Sequence, residues 1–116
     1  MTAAIARITV SVASLDKALP LYERALGLRR TREFPGIVGL GLARDVELLL
    51  HERPPTPGDA GVAPSFRVAD VDAVTAAAVE AGAQLIDPPG DQPWGERQSV
   101  LHDADGHVFC LVTPLH

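Results

Sequence analysis

The sequence predicts an α+β fold: two βαβββ units forming a curved mixed sheet around a central cavity, with helices on the outer face. Three observations predict it. The chain carries an internal repeat, each copy opens with a strand-like run followed by a helix-like run, and three further β-like segments follow each helix. Val12-Ala13-Ser14-Leu15-Asp16 is echoed by Val68-Ala69-Asp70-Val71-Asp72 at an offset of 56 residues, and Gly27 by Gly82 at 55. A sheet with one apolar face must bury it, and a helix with one apolar stripe is the complementary layer.

The elements follow in order. Ile8-Thr9-Val10-Ser11-Val12 alternates with period two, as does Phe66-Arg67-Val68, which marks strands with one buried face. Ser14 and Asp70 are suited to cap helices because their side-chain oxygens accept from the free N–H groups of a first turn. Leu15, Ala18, Leu19, Tyr22 and Leu26 then recur at helical spacing, as do Val71, Val74, Ala78 and Ala81. Gly27 and Gly82 supply the left-handed residue that ends each helix. Pro20 removes a backbone hydrogen bond in the second turn of the first helix and is expected to kink it. Segments 29–34, 37–42 and 46–52 complete the first unit, punctuated by Pro35-Gly36 and Ala43-Arg44-Asp45. Segments 84–86, 97–102 and 107–113 complete the second, with Asp103-Ala104-Asp105-Gly106 as a hairpin turn rather than a pair of catalytic carboxylates. The expected layout is one domain over 1–116, with unit one at 4–53, a proline-rich linker at 54–62 and unit two at 63–114.

Bulk properties narrow the function classes. Of 116 residues 47% are hydrophobic and 22% charged, so a real core is available. The net charge of −5, with no basic stripe, argues against nucleic acid as a partner. No run approaches the roughly 20 apolar residues of a membrane span, and the first residues lack a signal-peptide pattern, so a soluble, cytoplasmic protein is expected. A single cysteine, Cys110, suits a reducing compartment.

Three stretches carry a family resemblance: Leu15-Asp-Lys-Ala-Leu-Pro-Leu-Tyr-Glu-Arg-Ala-Leu-Gly27, Pro93-Trp-Gly-Glu-Arg97, and Asp103-Ala-Asp-Gly-His-Val-Phe-Cys-Leu-Val-Thr-Pro114. In that order and spacing the chain resembles the vicinal oxygen chelate superfamily of glyoxalases, bleomycin-resistance proteins and extradiol dioxygenases. The resemblance implies a cavity that in the family's enzymes holds a divalent metal on His, Glu or Gln from the first and last strands of each unit. Here the implied positions read Arg7 and Ala63 in the first strands, and Leu50 and Cys110 in the last. None is a usual ligand, and Arg7 brings a positive charge to the place of a cation. No metal or other cofactor is therefore expected; a shift of strand register would instead offer Glu47, His51 or Glu52.

The resemblance thus implies a metal-independent small-molecule-binding protein similar to the drug-sequestering antibiotic-resistance members, with no catalytic residue assigned. The alternative is a metal-dependent or metal-free lyase, isomerase or dioxygenase. The expected ligand-binding set is Arg7, Thr9, Leu48, Leu50, Ala63, Ser65, Trp94, Arg97 and Cys110. Trp94 would stack on a partly aromatic ligand, Arg7 and Arg97 would hold an anionic or carbonyl group, and Leu48, Leu50, Ala63 and Cys110 would line the wall. Cys110 reads as a small apolar filler rather than a nucleophile, and His51 and His102 as structural. Exposed sheet edges imply a homodimer.

Overall fold

The computed structural model describes residues 5–56 and 62–116; the expected linker falls partly outside them, at 57–61. The chain forms an α+β fold with two mixed four-stranded sheets, divided into two compact units, Met1–Thr56 and Pro57–His116. Among the described residues no helix is long and apolar enough to cross a membrane.

In the first unit β1 (Arg7–Val12) pairs in parallel with β4 (Glu47–Glu52), and β3 (Ile37–Gly41) and β2 (Arg29–Phe34) continue the sheet antiparallel, in the order β1-β4-β3-β2. Helix α1 (Leu15–Leu19) starts on Ser14, whose Oγ accepts from Lys17 N, and on the Glu52 carboxylate, which accepts from Leu15 N at 2.8 Å. At Pro20 an α-helix would need an N–H that proline lacks, and its ring would meet the carbonyl four residues back. Instead of the expected kink, the chain widens into a π-helical stretch over Pro20–Ala25, with Leu26 N donating to Leu21 O at 3.0 Å. Gly27 then turns the chain out at φ 71°. Leu21 and Tyr22 are both buried, together with Val12, Val38, Leu40, Leu48 and Leu50. Burying each such side chain stabilises the fold by about 1.5–3 kcal/mol.

The second unit repeats the plan as β5 (Ser65–Arg67), α2 (Val71–Glu80), β6 (Gln84–Asp91), β7 (Glu96–His102) and β8 (Val108–Pro114), ordered β5-β8-β7-β6. Asp70 caps α2 by accepting from Ala73 N. The buried Thr75 hydroxyl donates to Val71 O at 2.6 Å and is also hydrogen-bonded to Ser99 Oγ at 2.7 Å, so helix and sheet are joined inside the core. The Asp103 turn is as expected: its buried carboxylate accepts from Asp105 N and His107 N at 3.0 and 2.9 Å. β6 runs five residues beyond the expected 84–86. Pro88 and Pro89 fall within this extension because β6 is a sheet edge with register shifts between Leu85 and Gly90, where missing N–H groups are tolerated.

Candidate functional site

Register decides which side chains each sheet turns away from its helix. In β4 the fully buried Leu48 and Leu50 lie beside Ile8, Val10, Leu40 and Val38 on the helix side. Leu48 and Leu50 are therefore core residues, a correction to their expected place in a ligand wall. Glu47, Leu49 and His51 take the opposite, open side, in line with Arg7, Thr9 and Ser11 of β1. The last-strand neighbour of Arg7 is thus Glu47 rather than Leu50. The one-residue difference matters because strand side chains alternate faces.

Glu47 is the centre of a charge cluster on that open side. Arg7 Nε donates to its Oε1 at 2.8 Å, while Arg32 approaches as a fork, Nε to Oε2 at 2.8 Å and Nη2 to Oε1 at 2.7 Å. Thr31 Oγ1 adds a longer contact to Oε2 at 3.4 Å. A bulge between Arg30 and Arg32 lets Thr31 and Arg32 both reach the same carboxylate from β2. Gly39, beneath the cluster, leaves the necessary room: a Cβ there would stand 2.5 Å from Glu47 Oε2 and 3.0 Å from both Arg32 Cγ and Thr31 Oγ1. The Glu47 side chain is only 17% exposed, against 48% for Arg7 and 43% for Arg32, so the carboxylate is roofed by guanidinium groups that face solvent. Hydrogen bonds from Arg32, then from Arg7, hold its pKa down to about 2, and the same contact raises that of Arg32. Arg32 also lies 5.9 Å from the Phe34 ring centroid. Nearby, Arg53 Nε donates to Ser11 Oγ at 2.6 Å.

The second unit places the remaining candidates separately. Cys110 pairs with Ser65 in register and is half-buried on the open side, opposite in parity to the buried Phe109 and Leu111; Ser65 is exposed and Ala63 half-buried. Trp94 sits between β6 and β7, 61% exposed, with its indole N–H donating to Glu96 Oε1 at 3.1 Å. Arg97 is the second correction. Its register beside Thr113 turns it to the helix side, where Nε and Nη2 grip both Asp72 oxygens at 2.7 and 2.9 Å and Nη1 reaches Asp91 at 2.9 Å. Hydrogen bonds to Asp72, then to Asp91, raise its pKa, and it straps α2 to the sheet instead of awaiting an anion.

The family's metals do not fit this donor set. Both Glu47 oxygens are engaged by guanidinium groups, which repel a cation. His51 lies four strand residues away, about 13 Å at normal rise. Glu52 faces the other way, toward Leu15 N. Among the described residues no three His, Cys, Asp or Glu side chains gather as a metal site. Residues that composition and spacing did not single out, Thr31, Arg32 and Gly39, complete the cluster. Only the Gly39-Leu40-Gly41 alternation hinted that one sheet face had been cleared of side chains.

Comparison with known proteins agrees with this architecture. The model of the Glyoxalase/Bleomycin resistance protein/Dioxygenase superfamily matches residues 4–111. A curated relative, "Putative glyoxylase CFP32" of Mycobacterium tuberculosis (strain CDC 1551 / Oshkosh), is 35% identical over 107 residues, covering 85% of this chain and 40% of the relative. The chain thus spans about two-fifths of that relative's length. A glyoxalase/bleomycin resistance protein/dioxygenase family enzyme from Burkholderia phytofirmans PsJN superposes with TM-score 0.83 at 20% identity, over 97% of this chain and 100% of that one. A member of the same superfamily from Sphaerobacter thermophilus DSM 20745 gives 0.72 at 27% identity, over 96% and 97%.

Proposed function

The chain belongs to the Glyoxalase/Bleomycin resistance protein/Dioxygenase superfamily, and from that premise we propose that it is a metal-independent binding protein for a small, partly aromatic organic molecule. One observation carries the proposal: Glu47, the carboxylate beside Arg7, is closed off by Arg7 and Arg32. A carboxylate held at about pKa 2 by two guanidiniums is a poor proton acceptor near neutrality as well as a poor metal ligand. The open side of the first sheet retains what a binding surface needs: directed donors on Arg7 and Arg32, a hydroxyl on Thr9, and apolar area on Leu49 and Phe34. Within the second unit, taken by itself, Cys110 lies half-buried in register with the exposed Ser65, Ala63 is half-buried, and the exposed Trp94 ring offers a stacking face. By analogy with bleomycin resistance within the superfamily, sequestration of a toxic compound is the physiological role that suits such a protein.

The test is metal content together with binding. Protein purified without chelators is expected to carry no stoichiometric Fe, Mn, Ni or Zn, and to bind neutral or charged aromatic probes equally well before and after chelator treatment. About one metal per chain, retained through dialysis and required for binding, refutes the proposal. A second function, a lyase or isomerase, is favoured by the name of the curated relative. In its metal-free form His51, on the open side of β4, is the acid–base group at hand. Turnover of a small carbonyl compound that is lost in His51→Gln would establish it.

A further inference from the structure

The first sheet has more positive charge on its open side than its own ion pairs need. β1 to β4 carry three carboxylates, and register sends Glu33 and Glu52 to the helix side, where they meet Arg30 and the start of α1, leaving Glu47 on the open side. Facing it there are Arg7 and Arg32, with Arg29 on the same side by register and Arg53 hydrogen-bonded to Ser11. A chain of net charge −5 has thus concentrated guanidinium groups on one sheet face. A single fork from Arg32 already engages both Glu47 oxygens, so the second guanidinium, Arg7, is surplus to a structural ion pair.

We propose that Arg7 and Arg32, tied together through Glu47, form a receptor for an oxyanion on the ligand, a carboxylate or a phosphoryl group. This rests on the small-molecule-binding function proposed above and names the group by which the ligand is held. Arg7 uses only Nε and Arg32 only Nε and Nη2 toward Glu47. Among the described residues, Nη1 and Nη2 of Arg7 and Nη1 of Arg32 make no other hydrogen bond, and both side chains are nearly half exposed. Glu47 acts as a positioning residue: it fixes two planar donor groups before the ligand arrives, which lowers the ordering cost of binding. With one carboxylate against two guanidiniums, the trio keeps a net charge of +1, enough to favour an incoming anion. The Phe34 ring beside Arg32 supplies an apolar surface for whatever bears the anion.

The test uses the full chain and three probes of one shape: benzoate, phenyl phosphate and neutral benzamide. Binding is followed by titration and by the Nε–H resonances of Arg7 and Arg32. The expected result is that at least one anion binds about tenfold or more tightly than benzamide and shifts both resonances; which anion binds better assigns the carboxylate or the phosphoryl group. Arg7→Gln and Arg32→Gln should each weaken that anion by about ten- to a hundredfold, the scale of a charge-assisted hydrogen bond. Benzamide binding as tightly as both anions overturns the receptor and leaves small-molecule binding standing. Unmoved Arg7 and Arg32 resonances under every probe also overturn it, without need of any variant. If all three probes fail to bind and a metal is retained, both proposals fall.

Discussion

Replacing Gly39 by Ala tests the charge cluster through the space that permits it. The added Cβ would lie 2.5 Å from Glu47 Oε2, so the carboxylate must move away from the Arg32 fork. The backbone itself does not object, since Gly39 sits inside β3 and is not among the positive-φ glycines. In a strand interior Ala is better than Gly by about 0.5–1 kcal/mol. Against that gain stands the ion pair. A carboxyl held at about 2 instead of 4.5 corresponds to an upper bound of about 3 kcal/mol, and solvent around the half-exposed arginines reduces it to about 1–2 kcal/mol. The net expectation at pH 7 is a destabilisation of about 0.5–1 kcal/mol. The sign depends on pH. Because the folded-state pKa of Glu47 is depressed, its contribution is fully present above about 4.5 and is lost as pH falls toward 2. Near pH 2 the ion pair has largely gone, and Gly39→Ala should become neutral or stabilising. Urea unfolding of both proteins across this range measures the crossover, and carboxyl NMR should place Glu47 nearer its ordinary pKa in the variant. A difference in stability that stays constant from pH 7 to pH 2, with Glu47 titrating as before, would refute the account.

Other consequences follow from the packing. Leu48→Ala, made at a site with 0% exposure on the helix side, should cost about 2–5 kcal/mol in chemical denaturation, whereas a wall residue open to a ligand site would cost far less. Ser99→Ala removes the sheet half of the Thr75–Ser99 contact but leaves Thr75 bonded to Val71 O, so about 1 kcal/mol should be lost by thermal unfolding. Arg97→Gln should free α2 from its strap and lower the midpoint of thermal unfolding only slightly, because Asp72 and Asp91 are well exposed; binding of benzoate should not change. Light scattering should return a homodimer, twice the 12.3 kDa chain mass, since the edge strands β2 and β6 carry exposed Phe34, Leu85 and Ile86; a strictly monomeric mass at micromolar concentration contradicts this.

The order of elements was legible in the residues alone. The repeat, the period-two runs, the caps at Ser14 and Asp70 and the terminating glycines are local signals, each written in a few neighbouring residues, and among the described residues the strands and helix starts arose where those signals stood. It also marked Arg7 as the residue at odds with a metal. Whatever depends on register became visible only with the strands paired. Whether Leu50 or Glu47 stands beside Arg7, and whether Arg97 faces a ligand or Asp72, turns on a shift of one residue, because neighbours along a strand point to opposite sides. The bulge that brings Thr31 and Arg32 onto one carboxylate, and the missing Cβ at Gly39 that gives it room, join residues from four strands. No local pattern encodes such a meeting, since it exists only once β1, β4, β3 and β2 have paired in that order.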